Sequence, residues 1–277
     1  MSFEMLLGVS VVAGFIGAMS GMGGGVVLIP ALTLMGVDIK HAIAVSIVSV
    51  IATSSGAASA YTRDRITNLR VGMFLEVFTM LGAMAGAAIT LVSGQRWLYL
   101  AFGVVLLGSW AALLVERRQG GHGSGPCGDG LGAWLGLKGS YYDQAAGKTI
   151  EYQATRTCLG GPAMFGAGMI AGLLGIGAGA LKVLTFDLIM GLPPKVSTTT
   201  SNLIIGVTAL AGTSVYLGAG LIDLDLAAPV VLGVVTGAFI GTRLLVRESN
   251  RFVRWFFLVV LLAIGLEMLV RGIRGGR

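Results

Sequence analysis

The sequence predicts an all-α polytopic membrane protein made of two internal repeats, each a glycine-broken, re-entrant helical hairpin followed by three transmembrane helices, with the two halves inverted. Three observations carry that prediction. Of 277 residues, 55% are hydrophobic and only 12% charged, where a soluble domain carries about 25% charge. The apolar residues gather into long, unbroken runs. One glycine and hydroxyl pattern also occurs twice in the same order, at an offset close to 155 residues.

Composition removes the competing classes. The 45 glycines follow no three-residue period and accompany only 6 prolines, which excludes collagen. A mean hydropathy of +0.87 excludes a disordered chain. A transmembrane barrel would alternate apolar and polar residues in segments of about ten, and the runs here do not alternate. The formal charge of +6 comes from Lys and Arg lying between apolar segments, where they set topology. No Arg-rich face with interleaved aromatics suggests nucleic acid. Met1 to Ser10 has no positive n-region and reads as part of the first membrane helix, not a cleaved signal.

Apolar segments run approximately over 5–35, 42–61, 71–92, 97–115, 161–190, 198–219, 226–246 and 252–272. A spanning helix needs about 20 apolar residues, so the first and fifth are overlong, and glycines interrupt both. Residues 116–160 differ in composition and hold both cysteines. Within them, Leu135 to Asp143 and Lys148 to Gln153 resemble two short strands around a turn. The chain therefore divides into a first membrane repeat (1–115), a polar insert (116–160) and a second membrane repeat (161–277).

The repeat is read from four features. Gly21–Gly25 aligns with Gly175–Gly179 at an offset of 154, and Gly36 with Gly191 at 155. Ala44-Val45-Ser46 aligns with Thr199-Thr200-Ser201, and Gly82/Gly86 with Gly237/Gly241, both at 155. Eight plain spans would divide the loop Lys and Arg residues 11 to 7 across the membrane, whereas re-entrant hairpins at both glycine breaks divide them 13 to 5. The positive-inside rule favours the second arrangement and places 62–70 and 116–160 in the cytoplasm. Met5–Ser20 and Val26–Met35 are each short for a crossing and suit the arms of a hairpin. Repeats of this kind point to a secondary transporter.

Non-helical backbone at membrane depth is tolerated only where protein buries it or water reaches it. Glycines permit unusual dihedrals, and amides exposed at a helix start attract anions. Two such breaks facing each other would make an anion site near the midplane. The GxxxG pairs are read instead as close helix contacts.

The run from Gly14 through Gly21-Met22-Gly23-Gly24-Gly25 to Leu32, followed by Ala44-Val45-Ser46 and repeated over 172–201, resembles the TauE/SafE family of sulfite and organosulfonate exporters. That resemblance implies a multi-pass permease of a bacterial or archaeal inner membrane that moves a small sulfur-containing anion. The second half departs from the pattern at Ala178, where a glycine is replaced, and near Leu184 and Thr185, which match Pro30.

The substrate-binding candidates are Ser20, Gly21, Gly23, Gly24, Gly25 and Ser46 in the first half. In the second half they are Gly175, Gly177, Gly179, Lys182, Ser201 and Asn202. Hydroxyls, amides and backbone N–H groups bind an oxyanion reversibly, although Ser and Thr in membrane helices also bond to carbonyls. Thr53, Ser54, Ser55 and Ser59 are read in that structural way. Lys182 either offsets the substrate's charge, pairs with Asp187, or snorkels. Glu76 is a candidate for coupling by proton exchange, or it sits at the interface near Arg70. His41 follows Lys40 in a short loop and reads as solvated.

Cys127 and Cys158 lack a zinc spacing, and no Ser/His/Asp or paired-carboxylate arrangement supports an enzyme. No cofactor or metal is expected. The expected partners are a small anionic substrate and membrane lipid, with room for a homo-oligomer. Two functional readings remain: a carrier working by alternating access, whether exporter or importer, and an anion channel.

Overall fold

A computed structural model describes residues 3–20, 24–63, 68–116, 132, 135–143, 148–245 and 250–274. In chain order the elements are α1 (Phe3–Ser20), α2 (Gly25–Leu34), α3 (Ile39–Arg63), α4 (Leu69–Val92), α5 (Gln95–Glu116), β1 (Lys138–Asp143) and β2 (Lys148–Gln153). They continue as α6 (Thr157–Leu174), α7 (Gly179–Leu184) with a π-helical turn (Thr185–Ile189), α8 (Pro194–Gly218), α9 (Leu224–Leu245) and α10 (Asn250–Ile273).

The polytopic all-α class is what the molecule adopts. The helices α4, α6, α8 (Val196–Gly218) and α9 (Leu224–Gly241) are each long and apolar enough to cross a membrane. Helix α4 is apolar outward and polar inward. Met73, Val77, Leu81 and Met84 are exposed while Glu76 and Thr79 are buried, as expected where lipid replaces water outside.

Both overlong segments break where the glycines cluster. The two arms of each break differ in length: α1 and α6 have 18 residues, against 10 in α2. At 1.5 Å per residue the long arms reach about 27 Å, most of the hydrocarbon depth, and the short arm about 15 Å. Helix α6 begins at Thr157, so its first turn takes in 157–160.

The halves cross over each other. Helix α1 packs on α9, α4 on α6, α5 on α10 and α3 on α8. Glycines let the first two pairs approach. A Cβ added at Gly82 or Gly86 would lie 2.1 Å from the Phe165 carbonyl oxygen or 2.0 Å from that of Met169. From the other side, an added Cβ would lie 2.2 Å from the Thr79 carbonyl oxygen at Gly168 and 2.0 Å from that of Ala83 at Gly172. In the α1–α9 pair, an added Cβ would lie 2.0 Å from the Val11 carbonyl oxygen at Gly237 and 2.3 Å from that of Val234 at Gly14. The close-contact reading of the glycine pairs therefore holds for Gly82, Gly86 and Gly237, and their partners are the opposite half's first helix.

The predicted hairpin forms, with β1 and β2 antiparallel and Lys138 opposite Gln153. It is docked onto the membrane helices. Leu137, Tyr152 and Ala154 are buried in one cluster with Val71, Leu75, Phe186, Met190 and Val196. Asn68 ties the parts together: its side chain caps α4 by accepting from the Val71 N–H at 3.1 Å and donates to the Tyr152 hydroxyl at 3.1 Å. Its own N–H reaches Thr200 Oγ1 of α8 at 3.2 Å.

Candidate functional site

The two glycine breaks meet. A Cβ placed on Gly25 would lie 2.6 Å from the Ser46 hydroxyl and 2.7 Å from the Gly175 carbonyl, with Ile176 next to it. Only a glycine fits there. Ser46, fully buried on α3, donates to that same Gly175 oxygen at 3.0 Å. Gly21 and Gly23 lie outside the described residues. Ser20 ends α1 and Asn202 stands on α8. The first break is thus represented at the contact by Gly25, while Gly24 faces Val234 and Gly14.

The backbone of the second break is held polar group by polar group. Helix α6 ends at Gly175 in the left-handed region, with φ +64° and its N–H bonded to the Ala171 carbonyl at 2.8 Å. The freed Gly172 carbonyl accepts from the Tyr216 hydroxyl at 2.6 Å, and that of Leu173 from Thr90 at 2.8 Å. Ser201 donates to the Gly179 carbonyl at 3.3 Å. Away from water each unpaired carbonyl would be costly, and these four side chains come from three helices. Ser46 and Ser201, expected near the substrate, both hold second-break carbonyls here, the structural use of a membrane hydroxyl. Gly177 also has φ +73°, and Ala178 adopts φ +45° despite its side chain. Beside the loop lies a cavity of about 10 Å³, lined in part by Val26, Leu106, Ile176 and Ala178. That is room for about one water molecule.

One turn into α7 the second feature begins. Lys182 is fully buried and donates from Nζ to Thr208 Oγ1 on α8 at 2.6 Å. Thr208 lies 2.8 Å from Glu76 Oε1, and Thr79 donates to Glu76 Oε2 at 2.7 Å. Glu76 is only 2% exposed. Lys182 is therefore not snorkelling, and the carboxylate it faces is Glu76 rather than Asp187. Glu76 in turn sits in the helix bundle, not at the interface beside the exposed Arg70. Sequence singled out both charges but did not join them. Thr208, Thr79, Thr90 and Tyr216 were missed, and hydroxyls in apolar helices carry no sequence signal that separates such a bridge from back-bonding.

Other expectations are placed plainly. Thr53, Ser54 and Ser55 bond to carbonyls of their own helix. His41 is part-exposed, 4.0 Å from Asp38. Cys158 is an exposed free thiol and Cys127 lies outside the described residues.

Comparison with known proteins agrees with this architecture. The family described as "Sulfite exporter TauE/SafE" matches residues 6–268. Among curated relatives, the "Probable membrane transporter protein YunE" of Bacillus subtilis (strain 168) is 26% identical over 99% of both chains. The "Probable membrane transporter protein YdhB" of the same organism is 26% identical over 86% of each. No solved structure matches. Both relatives are named as probable membrane transporters, and a helical membrane chain with a broken-helix centre fits that: the protein belongs to the TauE/SafE sulfite exporter family and is a membrane transporter.

Proposed function

We propose that the protein is a carrier for a small sulfur-containing anion, sulfite or an organosulfonate, in a bacterial or archaeal inner membrane. Its substrate site lies where the glycine breaks meet, and the two halves, inverted repeats of each other, expose that site alternately to either side. The contact of Gly25 with Ser46 and Gly175 carries this reading. It joins the two breaks and one hydroxyl at a single point with no room for a side chain. Loop amides, Asn202 and Lys182 replace the anion's hydration shell there, while Ser46 and Ser201 fix the loop carbonyls beside it.

The inverted-repeat reading is supported by equivalent contacts. Gly14 of the first half beneath Val234 of the second matches Gly168 of the second half beneath Thr79 of the first, at offsets of 154 and 155.

Reconstituted protein is the test. Labelled sulfite and isethionate are expected to exchange across liposomes with saturation and counter-flow. Gly25→Val, which drives a side chain into Ser46 and Gly175, is expected to lower the rate at least tenfold while the protein still elutes as folded. Unsaturable flux with single-channel currents would identify a pore.

A further inference from the structure

The Lys182–Thr208–Glu76 bridge joins the two halves, and the repeat-related positions hold no equivalent of it. At the repeat offset, Lys182 corresponds to Leu28, Glu76 to Val231, Thr79 to Val234 and Thr208 to Thr53. The first three counterparts are apolar, and Thr53 bonds only to its own helix, at Ser49 and Val50. Leu28 and Val234 are fully buried, so the same packing position is filled without charge on the other side. The scaffold does not require the pair, and a buried ion pair is a poor way to gain stability.

The bridge also spans three separate helices. Lys182 rides on the half-helix that starts at Gly179, three residues or about 4.5 Å along the axis from the break. Glu76 belongs to α4 and Thr208 to α8. Lys182 and Glu76 are each other's charge partner among the described residues. Their surroundings hold few other ionisable groups. Helix α6 has only Cys158, exposed at its start, and α8 has Lys195 in its first turn and Tyr216 toward its end. Helix α4 adds the exposed Arg70, the π-helical turn Asp187, and the hairpin the exposed Lys138 and Glu151.

We propose that Lys182 is shared between Glu76 and the transported anion, so that each anion bound at the loops places one proton on Glu76. With the site empty, the ammonium neutralises the Glu76 carboxylate through Thr208. When the anion engages the ammonium, Glu76 would be left as an uncompensated buried charge, which is strongly disfavoured. It takes a proton from the aqueous side that supplied the anion, forming one O–H bond. On the opposite side the anion leaves, Lys182 returns to Glu76, and that O–H bond breaks to release the same proton. The cycle carries one proton with each monovalent anion and moves no net charge. One pH unit then balances a tenfold anion gradient, and direction follows whichever gradient is larger. Thr208 is a positioning residue that holds the two partners in line.

This inference rests on the anion-carrier reading above, and the experiment separates the two. Isethionate is the probe, because its sulfonate does not titrate in the working range. In liposomes carrying the wild-type protein, its downhill entry is expected to bring in one proton per anion, read by a trapped pH dye. An imposed gradient of one pH unit is expected to concentrate it about tenfold, and clamping the voltage with potassium and valinomycin should change neither result. In Glu76→Gln, whatever flux remains is expected to carry no proton and to ignore pH. Thr208→Val is expected to lower the proton-to-anion ratio and Thr208→Ser to restore it, whereas Thr53→Val leaves the ratio at one. Isethionate flux without proton entry in the wild-type protein overturns this inference alone. Absence of both isethionate and sulfite flux overturns the carrier reading with it.

Discussion

The hydroxyl of Ser46 donates to the carbonyl of Gly175 at 3.0 Å, across 129 residues of sequence. This bond fastens a helix of the first half to the helix break of the second. It lies against Gly25, the first residue of the other half-helix, so three segments are fixed through one oxygen. Ser46→Ala leaves that carbonyl buried and unpaired, at a cost of about 1–3 kcal/mol. At roughly 2–4 °C per kcal/mol, the melting midpoint in detergent is expected to fall by several degrees. An unchanged midpoint would show that the loop is held without it.

The glycine seams predict two opposite outcomes for one kind of change. In Gly86→Ala the new methyl would sit 2.0 Å from the Met169 carbonyl oxygen, so α4 and α6 must separate. The expected loss is about 1–3 kcal/mol. Gly108 lies in α5 with nothing within 4 Å of its added Cβ. Gly108→Ala is expected to be neutral or to stabilise by about 0.5–1 kcal/mol, since alanine favours helix over glycine by that amount. Parallel melting curves of the two variants check both signs.

Ala178 is held at φ +45° in the second break. A left-handed conformation costs a residue with a Cβ roughly 1–2 kcal/mol, while a glycine gives back about 0.5–1 kcal/mol in unfolded-chain entropy. Ala178→Gly is therefore expected to raise stability by up to about 1 kcal/mol, read as a small rise in the melting midpoint. A fall would mean that the packing of its buried methyl outweighs the backbone strain.

Asn68 performs two functions that can be measured apart. Tyr152→Phe removes the bond from Asn68 to the Tyr152 hydroxyl and leaves the cap on Val71, so hydrogen exchange is expected to rise in 138–153 while α4 stays protected. Asn68→Ala also removes the cap on the Val71 N–H, worth about 0.5–2 kcal/mol. Exchange is then expected to rise in the first turn of α4 as well. Equal exchange patterns in the two variants would contradict this division of roles.

The membrane class, the helix positions and both breaks were legible in the sequence. Hydropathy and glycine placement act over one helix at a time, so α4, α8 and α9 begin and end within a few residues of the apolar segments that announced them. The hairpin was legible for the same reason, as a local alternation around a turn. Sequence also picked out Ser46, Ser201, Lys182 and Glu76 as polar groups out of place among apolar neighbours.

Which of those groups meet was decided by tertiary structure alone. The contact of α4 with α6 depends on glycines of both helices interlocking at carbonyls, and that crossing carries Glu76 toward α8 and α7. Lys182 could reach Asp187 along its own chain, but helix packing turns it to Thr208 and Glu76. Thr208 and Tyr216 look like ordinary hydroxyls in an apolar run until their partners arrive from other segments. A periodicity reports which face of a helix is buried. It does not report what the neighbouring helix presents to that face, and in this protein the charge pair and the closed helix break both depend on that neighbour.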